Sequence, residues 1–391
     1  MGLYGSSVIS GPGQQLSLLP VIDMTGGLNL QRGGLQLLDS ESPDMLNVDS
    51  QVAGGVCRRR GVTTGIGAAL PSPICQVSWF ENQVSTTQLI IVPLEDNTIW
   101  EIVAPGVGSP TIIPNWVGDC PRGIQINFQH YTYSLTQDAS DYDGVTTTVY
   151  PWATTPPIPA PGVDGFPRAK YMTMHSGFAW AAHVQEPGDP STVHCNRIWR
   201  SDAIENGAGE LVWREDNWVD IDDGADGDCI TGIIACGGFL YVFKRNSVYF
   251  IAGWDGPNIQ VYPLCTDAGA VSQDAITCGA DCKVWFFDHR RGLHSIEGQS
   301  INWEFDKMLP LIEDDCIPWE YLDTVTVAEC NGKIFVSVPE GEAEAPDATY
   351  VLNPEVGRGA WTKYDYGIGP SSDYTPKDAR ARCLAIPTDK P

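Results

Sequence analysis

Four groups of side chains have the composition of a reactive, metal-binding or charge-recognition site. Cys278 and Cys282 are followed by His289 and His294, the thiolate and imidazole ligands that zinc takes. The intervening apolar run from Val284 to Phe287 predicts a strand, however, and a strand spreads its neighbours along a sheet instead of gathering them around one ion. Core thiols with surface imidazoles are the expectation. Asp220, Asp222, Asp223, Asp226 and Asp228 form the densest carboxylate cluster. Neither alignment on a calcium-binding loop supplies both the Asp or Asn at its fifth position and the Glu at its twelfth. A turn between β units is therefore expected there, with Asp and Gly supplying tight backbone angles.

Asp138, Asp141 and Asp143 share one acidic loop. Two carboxylates can hydrolyse a glycoside when a sugar fits between them, but close spacing in a loop does not set that separation. Arg58, Arg59 and Arg60 make the one run of three basic residues. On an acidic chain they are expected to meet carboxylates of a neighbouring subunit or sheet rather than a phosphate backbone, which makes them the candidate subunit-interface residues. The sequence has no G-x-S-x-G elbow, phosphate-binding loop, dinucleotide G-x-G-x-x-G or HExxH helix. No catalytic residue, cofactor or metal ligand is assigned, and the chain is read as a non-enzyme.

The elements that carry these residues are short strands. Phe239 to Ile251 is an apolar run, a polar Lys244-Arg245-Asn246 turn and a second apolar run, which reads as a hairpin. Sliding the sequence by 149 residues places Ile91 and Val92 on Leu240 and Tyr241, Asn97 on Asn246, and Ile99, Trp100 and Ile102 on Val248, Tyr249 and Ile251. A slide of 45 places Val284, Trp285 and Phe286 on Phe239, Leu240 and Tyr241. Looser copies give six units over 72–118, 119–155, 168–220, 228–266, 267–315 and 316–365.

Repeats of about 40–50 residues built from aromatic-rich strands with no helix between them are the pattern of propeller blades. The fold class is accordingly all-β: a β-propeller of six blades over 67–366, with irregular arms at 1–66 and 367–391. Two tandem β-sandwiches are the alternative fold. A closed ring must join its first and last blades, and Cys383–Ile386 or part of the N-terminal arm is expected to add the closing strand.

Composition agrees. The 391 residues carry a net charge of −26 and include 41 Gly and 29 Pro, which disfavours long helices and argues against a protein that grips phosphates. The first residues lack the basic segment of a signal peptide, and no apolar run reaches the ~20 residues of a membrane-spanning helix, so no membrane anchor is expected. The 12 cysteines are too dilute for a disulfide scaffold; buried, reduced thiols in a protein assembled in the cytoplasm are expected.

Several stretches resemble the tail propeller proteins of tailed bacteriophages, including nozzle or tail hub proteins. They are Gly26–Asn29, Glu41–Val48, Gly54-Gly55 leading to Arg59-Arg60-Gly61, Asn217–Ile221, Gly227–Gly232, Gly237–Tyr249 and Trp285–Gly292. The resemblance implies a virion structural protein of the tail, assembled in the host cytoplasm as a homo-oligomeric ring, here expected to be a hexamer. Its neighbours would be other tail or adaptor proteins, and genome DNA would pass through without tight binding past an acidic wall. The alternatives are a peripheral minor tail protein contacting fibres or receptor, a carbohydrate-binding or carbohydrate-cleaving propeller built on Asp138, Asp141 and Asp143, and a host-type interaction scaffold that forms no ring.

Overall fold

The computed structural model describes residues 24–32, 36–38, 40–50, 56–58, 70–72, 74–82, 87–103, 110–113, 122–126, 129–135, 139–142, 147–150, 167–185, 192–202, 211, 213–222, 227–252, 259–357 and 359–364. The fold is all-β, a β-propeller. Six four-stranded antiparallel sheets follow one another along the described chain, each a simple meander of consecutive strands. Sheet 1 runs from Ser78 to Ile112, sheet 2 from Arg122 to Tyr150 and sheet 3 from Arg168 to Asp220. Sheet 4 spans Ile230 to Cys265, sheet 5 Ile276 to Trp303 and sheet 6 Thr326 to Tyr364. Each sheet lies inside one of the six repeat units outlined by the sequence. The longest α-helical segment among the described residues is the single turn Pro310–Glu313.

The continuous apolar strands follow from having a sheet on both sides. In the strand Phe239–Lys244 of sheet 4, Leu240 and Val242 pack with Trp180 and Ala182 of sheet 3. The alternate residues Tyr241 and Phe243 pack with Val284 and Phe286 of sheet 5. Sheet 5 repeats the division, with Trp285 and Phe287 turned to Val336 and Tyr350 of sheet 6. Successive side chains of a strand point to opposite faces, so a strand between two sheets must be apolar at every position. That is why the segment reads as an unbroken run.

The first strands of consecutive sheets lie against one another, from Ser78–Asn82 round to Thr326–Cys330. Glutamine side chains join them by pairing with the neighbouring backbone at both ends of the amide. Gln76 accepts the Gly123 N–H at 2.8 Å and donates to its carbonyl at 3.3 Å. Gln125 does the same with Glu81, and Gln273 with Ile233 at 2.8 and 3.1 Å. Each amide thereby satisfies backbone groups that the ladder leaves open where sheets diverge.

The described residues of the N-terminal arm form strands where an irregular segment is expected. Gly27–Leu28 pairs in parallel with Glu41–Ser42, and Val48–Ser50 forms a hairpin with Val56–Arg58. The arm also extends the outer edge of sheet 6. Asn47 N–H donates to the Lys363 carbonyl at 2.8 Å, and Lys363 N–H donates to that of Met45 at 2.9 Å. Gly27 has φ +67°, and a Cβ there would lie 2.6 Å from the Trp361 nitrogen, so only glycine permits this approach. Leu28 and Met45 join the sheet 5–6 core beside Trp361 and Phe305. Cys383–Ile386, the other segment considered for closure, lies outside the described residues.

The cysteines correct the expectation of buried, reduced thiols. Cys195–Cys229 and Cys236–Cys278 are disulfides, and Cys75 is disulfide-bonded as well. Of the free thiols, Cys282 and Cys316 are exposed. Both named bridges link one sheet to the next across 34 and 42 residues. Such pairs are set by the packing of repeats and not by local spacing, so cysteine density did not reveal them.

Candidate functional site

The first strands line an open cavity of about 360 Å3 near the propeller axis, with walls from sheets 1, 2, 3, 5 and 6. It is crossed by one ion pair. Arg122, the first residue of sheet 2, and Asp274, just before sheet 5, meet through two parallel N–H···O bonds of 3.1 and 3.0 Å. This bidentate geometry is among the stronger polar contacts available to a protein. Burial would lower the Arg122 pKa, but the charge and hydrogen bond of Asp274 together with Tyr133 and Tyr171 hold it above its ordinary value. Tyr171 stands close by, its hydroxyl pushed up to about 12, by burial first and Asp274 second, against the lowering influence of Arg122. Tyr133 is also raised by burial, and its oxygen accepts the Met172 N–H at 3.1 Å. Sequence reading missed this pair because 152 residues separate its members.

A second arrangement has the look of a nucleophile and base. Ser78 Oγ lies 2.7 Å from His130 Nε2. Nδ1 of His130 is buried with no hydrogen-bond partner among the described residues, so no group orients the ring as a catalytic dyad requires. Desolvation lowers the His130 pKa to about 4, far from a base poised near neutrality. A Cβ on Gly123 would come within 2.2 Å of this ring. The geometry is that of a structural contact between sheets 1 and 2.

The carboxylate cluster at 220–228 is divided among separate structural tasks. Asp220 pairs with Arg197, with bonds of 2.7 and 2.8 Å, and that guanidinium stacks 3.4 Å from the centre of the Trp218 ring. Asp222 accepts the Tyr249 hydroxyl at 3.0 Å. Asp228 holds the 244–247 turn, accepting the Arg245 and Asn246 N–H groups. Asp223 and Asp226 lie outside the described residues.

The candidate zinc ligands are not brought together. Cys278 is consumed in its disulfide. His294 is buried against Phe286, with the rings stacked at 5.1 Å, and Cys282 is exposed. This reverses the expected core thiol and surface imidazole. Among the described residues no three His, Cys, Asp or Glu side chains cluster as metal ligands. The strand Val284–Asp288 does what its apolar run predicts and separates the candidates.

Arg58 ends the hairpin strand Val56–Arg58, its backbone opposite Val48. Its side chain, and all of Arg59 and Arg60, lie outside the described residues, as do Asp138, Asp143 and the side chain of Asp141.

The residues that carry the tail-protein resemblance turn out to have structural jobs. Glu41 is buried, and it accepts the Leu38 N–H and pairs with Lys307 at 3.0 Å. Burial would raise its pKa, but those bonds hold it below the ordinary carboxylate value. Asp288 accepts the backbone N–H groups of Arg290, Arg291 and Gly269, so it ties the hairpin turn of sheet 5 to the chain entering that sheet.

No protein-family model matches the chain, and no curated protein does. Solved structures do. Apo AztD from Citrobacter koseri is 10% identical with a TM-score of 0.40, the match covering 80% of this chain and 88% of that one. YCF48 bound to D1 peptide is 10% identical with a TM-score of 0.43, covering 77% and 85%. The computationally designed Ika8 protein is 8% identical with a TM-score of 0.40, covering 74% and 72%. Similarity at this level says nothing of ligand or partner. Among the described residues no helix is long and apolar enough to cross a membrane.

Proposed function

We propose that this chain is a structural subunit of a phage tail, a nozzle or tail hub protein whose six sheets form the blades of one propeller and whose copies assemble into a hexameric ring around the DNA ejection conduit. The observation that carries the reading is the arm. The motif Glu41–Val48 clamps onto the outer edge of sheet 6 through Met45, Asn47 and Lys363, and the hairpin strand that follows is tied to the same sheet, Asp49 pairing with Lys333 at 2.8 Å and accepting the Tyr364 hydroxyl. A polypeptide arm fixed at one end of a rigid sheet is suited to holding a neighbour, and it covers an edge that would otherwise invite unspecific pairing. Arg58 ends this hairpin and Arg59 and Arg60 follow it in sequence, where carboxylates of an adjacent copy with the same −26 charge would receive them.

Two further features fit. The Arg122–Asp274 bar crosses the axial cavity, so DNA would pass through the lumen between copies and not through a single propeller. Disulfides linking successive sheets suit a particle that ends in an oxidising medium after release. An acidic lumen would repel the duplex at short range and leave it free to slide.

The test has two arms. Replacing Arg58, Arg59 and Arg60 by Glu should prevent ring assembly while the circular dichroism of the monomer stays that of the parent. The parent protein should give no electrophoretic shift with duplex DNA near physiological salt. Normal assembly of the triple variant removes the arm's role, and tight salt-dependent duplex binding contradicts the conduit reading. Assembly onto fibres without a ring would move the chain to a peripheral tail position.

A further inference from the structure

Residues 245–247 join the two middle strands of sheet 4, and 289–291 join those of sheet 5. The two turns touch. Arg290 donates from Nη2 to Asn246 Oδ1 at 2.6 Å and from Nε to His289 Nε2 at 3.1 Å. Asn246 is itself held, its Nδ2 donating to Asp228 Oδ2 at 3.1 Å. The Arg290 guanidinium is therefore set in place before any ligand arrives, with two of its five N–H groups used and three left to donate.

Arg245 and Arg291 stand beside it. All three arginines are exposed, and none of their guanidiniums forms an ion pair among the described residues. The nearby carboxylates are occupied elsewhere. Asp228 accepts the Arg245 and Asn246 N–H groups, and Asp288 those of Gly269, Arg290 and Arg291. Asp267 accepts the Cys265 thiol; that bond first, and the Arg291 charge after it, hold its carboxyl below the ordinary value against a raising effect of burial. On a chain with 23 Lys and Arg against 49 Asp and Glu, internal partners are plentiful, and three neighbouring guanidiniums that pair with none are placed to meet the anions of another molecule.

Guanidinium forks fit carboxylate and phosphate oxygens alike, and the surroundings choose between them. Asp228 adjoins Arg245, Asp267 feels the charge of Arg291, and the carbonyl of the exposed Asp222 accepts from Lys244 Nζ at 3.4 Å. A duplex carries a charge about every 1.7 Å, so it would lay further phosphates over these carboxylates, within the ~8 Å over which charges still act. A polypeptide segment can set two or three carboxylates on the guanidiniums and uncharged residues beside them.

We propose that the surface formed by Arg245, Arg290 and Arg291 docks a short acidic segment of another polypeptide chain, whose carboxylates take the N–H groups that Arg290 and its neighbours leave open. The surface is separate from Arg58, Arg59 and Arg60 and does not rest on the tail reading, so either can fail without the other.

Fluorescence anisotropy of a labelled hexaglutamate peptide, titrated with the full chain to about 1 mM near physiological salt, tests it, with hexaglutamine and a short labelled duplex as controls. Hexaglutamate should bind saturably, hexaglutamine should not bind, and the duplex should bind more weakly than hexaglutamate or not at all. Arg245→Gln, Arg290→Gln and Arg291→Gln together should weaken hexaglutamate about tenfold or more while the circular dichroism stays that of the parent. Arg290→Lys keeps the charge and removes the fork, and it should weaken the peptide about threefold, which an unspecific attraction to positive charge would not do. It also decides the matter if the triple variant does not fold. The proposal is overturned if hexaglutamate does not bind, if either control binds as tightly, or if a folded variant binds with parental affinity.

Discussion

Sheets 1 and 2 are joined by polar groups, sheets 4 and 5 by a covalent bond and aromatic rings. At the first junction Gln76, Gln125 and the Ser78–His130 contact carry the link, and the adjoining cluster of sheet 1 is small, centred on Phe80 and Ile91. At the second, Gln273 is reinforced by Cys236–Cys278 and by Phe243 against Phe286 at 5.2 Å between ring centres. The same repeat thus closes its junctions with different chemistry. One junction should respond to pH and the other to reductant and to loss of volume.

The largest effect is expected from Phe286→Ala, which empties a fully buried site between sheets 4 and 5 and should cost about 3–5 kcal/mol in denaturant unfolding. Cys278→Ser opens a bridge spanning 42 residues and should cost up to ~4 kcal/mol. Hydrogen exchange would then rise in sheets 4 and 5 before sheets 1 and 2. Equal loosening everywhere would remove the distinction between the junctions.

Acid should act at the other junction. His130 has its pKa lowered to about 4 by desolvation, against an unfolded value near 6.5. Above pH 6.5 neither state holds the proton. Between 6.5 and 4 the unfolded chain takes it up and the folded chain does not, so stability falls as pH falls through this window, by ~3 kcal/mol in full. His175, His183 and His294 are shifted down by burial too and add to the slope. Calorimetry from pH 7 to 4.5 should show the loss, His130→Gln should flatten it, and exchange should rise first in sheets 1 and 2. The smallest effect is expected from Gln76→Leu, which frees the Gly123 N–H and carbonyl at about 2 kcal/mol.

What could be read from the sequence was whatever repeats. The hairpin from Phe239 to Ile251 and its two copies are strands in the structure, because a strand packed on both faces leaves an unbroken apolar signature. Contacts made between repeats left no such trace. Arg122 and Asp274 each occur in unremarkable polar surroundings, and Cys236 and Cys278 become partners only when sheets 4 and 5 are set side by side. The arm misled for a related reason. Its Gly content and few β-branched runs read as irregular, yet Gly27 is there to let the chain pass close to Trp361. The contact between the sheet 4 and sheet 5 turns was hidden in the same way, since Asn246 and Arg290 lie 44 residues apart.

The central claim is that this chain is a stoichiometric part of a phage tail. Tailed particles purified from the host that produces this protein can be analysed by quantitative mass spectrometry against a capsid protein of known copy number. The account predicts the chain in the particles at six copies each. Its absence from purified particles, with the protein recovered only as free monomer, would contradict it.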